Sequence, residues 1–198
     1  MPMVLPAETL EGAYVRLELL NEANRDALRA ALDCDPETWE IMAGNGCGEG
    51  FETYVEGLDG DAAKGRRIVF VIVRKSDGRV VGTSSMMNID RANHGLEIGS
   101  TFLHPDVRSG PVNPEAKRLM LSHAFDNEAI RVEFRVDIRN ARSQSAVLKL
   151  GATKEGVLRA NQITWTGHVR DTAVFSIIDN DWPAIRQRLD YRLREDFV

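Results

Sequence analysis

The sequence predicts a mixed α/β (α+β) domain, and three observations carry that reading. Ile68-Val69-Phe70-Val71-Ile72-Val73 is an unbroken β-branched and aromatic run, the pattern of a strand buried on both faces. Tyr14-Val15-Arg16-Leu17-Glu18-Leu19-Leu20 alternates with period two, as a half-buried strand does. Two stretches near residues 113–127 and 181–193 instead repeat their apolar side chains at helical spacing.

The elements follow in order. After the Tyr14–Leu20 strand, Glu22 to Leu32 reads as a helix with Asn21 placed to cap it. The signal weakens from Asp35 to Lys64. There, Gly44 to Gly50 carries four glycines and reads as a mobile loop before a short helix around Thr53 to Leu58. Ser76-Asp77-Gly78 turns the chain between the Ile68–Val73 strand and a second strand, Arg79 to Met87. Leu96 to Leu103 is a third strand, with Leu96, Ile98 and Phe102 expected on one face. Asn113 to Asn127 is helical, Asn113 capping and Pro114 in the first turn, with Ala116, Leu119, Met120 and Ala124 as its stripe. Arg131 to Ile138 is a strand, Ala141 to Leu150 a helix stopped by Gly151, and Thr153 to Leu158 a further strand. Val169 to Ile178 is the last strand. Asp181 caps a final helix marked by Trp182, Ile185, Leu189 and Leu193.

The composition agrees with one ordinary domain. The 198 residues are 43% hydrophobic and 28% charged, enough to bury about 70% of the unfolded surface without disulfides or metal. Cys34 and Cys47 read as incidental thiols of a cytoplasmic protein. No signal segment is visible at the start, and no apolar run approaches the ~20 residues of a membrane helix. The net charge of −5 argues against a nucleic-acid partner and permits cationic ones, and the lack of a long apolar run argues against a membrane partner. The four histidines lack the paired spacing of a metal site, and His123 reads as structural.

Two segments carry chemistry. Arg108-Ser109-Gly110-Pro111-Val112-Asn113 joins a strand directly to a helix, where amides and the positive end of the helix dipole favour phosphate. Taken alone, a short polar loop before a helix is usually just a connection. Asp137 to Ser145 then joins a strand to a helix at Asn140, and a simple cap explains Asn140 and Ser143 without function.

Together these segments resemble the GCN5-related N-acetyltransferase (GNAT) superfamily, in its ribosomal-protein N-terminal acetyltransferase-like (RimJ/RimL) branch. The likeness rests on Pro105 to Lys117, Asn140-x-x-Ser143, Lys149-x-Gly151, Tyr14-Val15-Arg16-Leu17 and Leu96-Glu97-Ile98-Gly99. Glu155-Gly156-Val157-Leu158-Arg159, Arg170-Asp171 and Asp181-Trp182-Pro183 extend it over almost the whole chain. The resemblance implies one N-acetyltransferase domain over residues 1–198. It implies a mixed, twisted sheet of about seven strands flanked by helices, splayed at its centre to admit acetyl-CoA as co-substrate. No metal is implied, and relatives often form homodimers.

The resemblance also assigns roles. Glu97 stands where relatives place a general base; its alternative is a solvated or ion-paired glutamate. The N–H groups of Phe102 and Leu103 would contact the thioester oxygen and the pantetheine arm. Arg108, Ser109, Gly110, Val112 and Asn113 would hold the pyrophosphate, and Asn140 the arm. Ser143 would bond the arm or protonate the leaving thiolate. Proline stands at 111 where the family pattern [Gln/Arg]-x-x-Gly-x-[Gly/Ala] has glycine, which removes one amide from that loop. None of Tyr14, Tyr54 and Tyr191 lies in the helix after Asn140, where the family often places its acid.

The acceptor is then a primary amine, preferably a protein or peptide N-terminus. An α-amine costs about 1 kcal/mol to deprotonate at pH 7, a lysine over about 4 kcal/mol. The alternatives are a small-amine (polyamine or drug) acetyltransferase and a non-catalytic acyl-CoA-binding module.

Overall fold

A computed structural model describes residues 1–197. The strands are β1 (Leu10–Glu11), β2 (Val15–Leu19), β3 (Arg67–Arg74), β4 (Val80–Asp90), β5 (Gly95–Leu103), β6 (Arg131–Asp137), β7 (Thr153–Ile163) and β8 (Val169–Ile178). The helices are α1 (Glu22–Leu32), α2 (Pro36–Trp39), α3 (Phe51–Ala63), α4 (Val112–Asp126), α5 (Ala141–Leu150) and α6 (Trp182–Glu195). All eight strands form one sheet in the order β1-β2-β3-β4-β5-β6-β8-β7. Every pair is antiparallel except β5 with β6, the parallel pair whose crossover α4 supplies. No helix among the described residues is long and apolar enough to cross a membrane.

The β3 run is buried on both faces for the reason its composition suggests. Ile68, Phe70 and Ile72 join Leu17, Ile98, Met120 and Leu189 in the core under α4 and α6. Val71, on the opposite face, packs with Leu28, Leu32, Trp39 and Val55 beneath α1 and α3. Each such side chain removed from water contributes about 1.5–3 kcal/mol. Asn21 caps α1 by accepting from the Ala23 N–H, and Asn24 returns the bond to the Asn21 N–H. β7 is an edge strand exposed along its whole length.

Two departures from the sequence reading shape the centre. The registers Thr83↔Phe102 and Ser85↔Gly99 advance β4 by two residues while β5 advances by three. The extra residue is a β-bulge at Ser100, whose φ of 48° is left-handed. It reverses the alternation beyond it. Leu96 and Ile98 point to the α4 side, whereas Phe102 turns to the α1 side and stacks on Trp39 at 5.1 Å. The expectation that all three share a face is therefore corrected. Secondly, β5 pairs with β6 only over Gly95–Glu97 and Arg131–Glu133, after which the two strands part.

Helix limits also move. α4 begins at Val112 with Pro111 as its N-cap, already in αR conformation, so Asn113 does not cap and Pro114 takes the third position. Asp181 occupies the N-cap of α6 without bonding through its side chain. α3 runs well beyond Leu58, through Gly60 to Ala63. The glycine-rich segment, expected to be mobile, is packed: a Cβ at Gly46 would lie 2.6 Å from Trp39.

Candidate active site

The parting of β5 and β6 opens a cavity of about 650 Å³ that reaches both faces of the sheet. Pro114 and Lys117 of α4 line it on one side, and Tyr54 of α3 and Arg67 of β3 on the other. Eight arginine and lysine side chains line it against two carboxylates, Glu97 and Asp137. The acidic balance of the whole chain is thus inverted locally.

Glu97 is 5% exposed and sits where β5 last pairs with β6. Burial raises the pKa of its carboxyl, against the Asn88 Nδ2 hydrogen bond at 2.8 Å and the Arg135 guanidinium at 3.7 Å. Asn88 reaches it from a left-handed backbone position (φ 50°) that Asn tolerates better than most residues. The solvated reading of Glu97 is excluded by this burial. A carboxylate so placed can take a proton from an amine in the cavity.

The Thr83↔Phe102 register and the His104 N–H bond to Val81 O fix the alternation of the β4–β5 ladder. Phe102 directs its N–H toward β4, while Leu103 directs its own away, into the cleft. Of the two expected contacts, Leu103 is therefore the available donor, and Phe102 serves as packing. The Arg108 guanidinium is committed elsewhere, to Asp35 Oδ2 at 2.6 Å and to Leu103 O at 3.0 Å. Burial would raise the Asp35 pKa, but the bonds from Thr38 and Arg108 outweigh it and lower it.

Ser109, Gly110 and Asn113 line the cavity, whereas the Val112 side chain is buried in the core. Ser109 is left-handed (φ 65°), which turns the chain sharply into α4. With prolines at 111 and 114, the helix start lacks two N–H groups, and the amides of 109, 110, 112 and 113 remain. Asn140 caps α5 by accepting from the Ser143 N–H at 2.9 Å. Both side chains also line the cleft, so the capping and functional readings coexist.

Several groups escaped the sequence reading. Lys117 is 5% exposed and donates to Thr101 Oγ1 at 2.6 Å and Ser84 Oγ at 2.8 Å; burial lowers its pKa to about 7. Arg170 is buried between Glu97 and Asp137, with its Nε lacking a partner. Asp137 is held by a two-bond fork from Arg139. A charged residue inside an apolar stripe, such as Lys117 between Ala116 and Met120, was the one local signal available. Other side chains lie apart from the site. Glu52 pairs with Arg25 and Arg29, Met86 is fully buried in the core, and His123, read as structural, bonds Pro6 O at 2.8 Å. Met87 does line the cavity.

The sequence pattern of the acetyltransferase (GNAT) domain matches residues 15–153. The probable N-acetyltransferase YjcK of Bacillus subtilis (strain 168) is 32% identical over 113 residues, which are 57% of this chain and 62% of that protein. A GCN5-related N-acetyltransferase from Brucella melitensis superposes with a TM-score of 0.88 at 30% identity, covering 98% of this chain and 90% of that one. Mycobacterium smegmatis RimJ, solved in complex with CoA-disulfide, shares the fold, with a TM-score of 0.80 at 23% identity over 95% and 96% of the two chains. With its splayed sheet, buried central glutamate and helix-start loop, the chain belongs to the GNAT acetyltransferase family.

Proposed function

We propose that the protein transfers the acetyl group of acetyl-CoA directly to a primary amine, preferentially the α-amine of a peptide or protein N-terminus. The observation that carries this is Glu97: a buried carboxylate on the wall of a passage through the sheet, the other lining carboxylate, Asp137, being held by the two-bond fork from Arg139. One such base suits an amine that is already partly neutral at pH 7, as α-amines are. The eight cationic side chains lining the cavity count against a polyamine.

The passage fits the co-substrate. Its volume suits an extended pantetheine arm, the Leu103 N–H faces it, and the amides at the start of α4 suit pyrophosphate. Acetyl-CoA, when bound, supplies an activated thioester. The Leu103 N–H then stabilises negative charge developing on the carbonyl oxygen. Glu97 accepts the proton lost by the attacking amine, directly or through a water. Asn140 and Ser143 flank the arm, and the Ser143 hydroxyl can hydrogen-bond the departing thiolate or relay to it a proton drawn from solvent water, so that free thiol leaves and serine is unchanged. Residues 1–198 act as one N-acetyltransferase domain in this reading, supported by the single sheet that runs from β1 to β8.

The test is mass spectrometry of peptides with free and blocked N-termini incubated with acetyl-CoA, together with release of free thiol. Acetylation at the free α-amine is expected. Modification of internal lysines alone overturns the acceptor. Binding of acetyl-CoA without thiol release for any amine leaves the non-catalytic reading standing.

A further inference from the structure

The face of the sheet that holds Glu97 carries a second feature to which the transfer chemistry gives no task. The registers Arg67↔Met87 and Met87↔Glu97 set Arg67 and Glu97 on the same face, two strands apart, about 9–10 Å between backbones. Both line the cavity. The Arg67 side chain is 15% exposed, and among the described residues its ion pair is with Asp61, which is too far from Nε to hydrogen-bond it. Its Nη1 touches only hydroxyls, Ser100 Oγ at 3.2 Å and Ser85 Oγ at 3.5 Å. Its Nε is buried without a hydrogen bond, the nearest carboxylate being Asp61 at 3.7 Å. The Tyr54 hydroxyl is likewise buried, with Ser100 and the Arg67 guanidinium beside it and no well-formed hydrogen bond.

An unbonded guanidinium Nε and a phenol without a well-formed hydrogen bond are costly to keep out of water. They persist on one wall of a cavity whose other polar landmark is the base. The left-handed turn at Ser100 adds to this arrangement, since it brings that hydroxyl to Arg67.

Resting on the acceptor reading above, we propose that Arg67 and Tyr54 form a subsite for a carboxylate borne by the acceptor close to its amine. The amine meets Glu97 and the carboxylate meets the guanidinium fork and the phenol, so the substrate lies across β4 over Met87. Tyr54 is a donor here: burial raises its pKa to about 12 and keeps the hydroxyl protonated. Carboxylates of two origins meet this requirement, the side chain of an N-terminal Asp or Glu and the α-carboxylate of a free amino acid. A polyamine or an unsubstituted aliphatic amine does not.

The experiment measures kcat/KM for four acceptors with saturating acetyl-CoA: Asp- and Ala-initiated peptide amides, free alanine, and alaninamide. The full chain and its Arg67→Met, Arg67→Lys and Tyr54→Phe variants are compared. One carboxylate-bearing acceptor is expected to exceed its neutral counterpart by about 10–100-fold. The peptide pair and the alanine pair tell which origin is used. Arg67→Met should abolish the ratio, Arg67→Lys should restore part of it, and Tyr54→Phe should reduce it. Because each ratio is taken within one variant, loss of folded protein cancels. Equal rates on charged and neutral acceptors, or a ratio unchanged in Arg67→Met, overturn the subsite while leaving the acceptor reading intact. Failure of the full chain to acetylate any of the four overturns both.

Discussion

Lys117 Nζ lies 2.6 Å from Thr101 Oγ1, so α4 is pinned directly to the bulge of β5. The same ammonium reaches Ser84 on the facing strand at 2.8 Å. The helix that lines one side of the cleft is thereby tied to the strand whose parting from β6 opens it.

This contact sets a pH dependence. Burial lowers the Lys117 pKa from 10.5 to about 7, so between those values the unfolded chain holds a proton that the folded one releases. Stability therefore rises with pH from 7 toward 10.5, and below 7 the fold carries the full cost of a buried ammonium. Lys117→Met removes that cost and leaves Ser84 and Thr101 bonded to each other at 2.8 Å. The stability of the variant relative to the parent should be greater at pH 6 than at pH 9 by roughly 2–3 kcal/mol. Urea denaturation at the two values checks this, and a difference independent of pH refutes it.

Glu97→Gln should lower kcat by about 10²–10⁴-fold, with little change in KM for acetyl-CoA. The base must be deprotonated to act, and burial raises its pKa. The acidic limb of the parent's pH–rate profile should thus lie above the usual carboxylate range and vanish in the variant. Steady-state kinetics from pH 5 to pH 9 reads both.

Glu115 accepts from the N–H groups of Ala13, Tyr14 and Val15 at 2.7–2.8 Å, tying the β1–β2 turn to the first turn of α4. Glu115→Ala leaves three donors without their acceptor. A loss of about 3 kcal/mol or more is expected, read as a fall in the denaturant midpoint at constant m.

Pro111→Ala supplies an amide that the helix start lacks. A charge-assisted bond to pyrophosphate should lower the KM for acetyl-CoA by on the order of 10-fold, measured at saturating acceptor. An unchanged KM would show that this backbone position does not face the phosphates.

The elements were legible in the sequence where short-range pattern decides them. The Ile68–Val73 run, the Asn21 cap and the Gly151 stop (φ 105°) stand where residue type places them. Phe102 was misplaced because the bulge that turns it arises between β4 and β5, and nothing in the one-dimensional alternation marks the extra residue. Glu97, Asn140 and Ser143, which line the cavity, were named from family pattern. Tyr54, Arg67 and Lys117 line it too but were not named, since strands and helices distant in sequence bring them there. Glu115 is the extreme case, with partners about a hundred residues away. Arg108 was legible as a residue but not as a partner, because Asp35 claims it across 73 positions.

The inverted charge of the cleft bears finally on encounter kinetics. At low ionic strength, where the screening length grows to about 30 Å, the net charge of −5 repels an anionic ligand at a distance. Inside the mouth, eight cationic side chains reverse the sign. Added salt consequently acts in opposite directions on the two phases of capture, hastening approach and shortening residence, so that ionic strength moves the association and dissociation rates upward together.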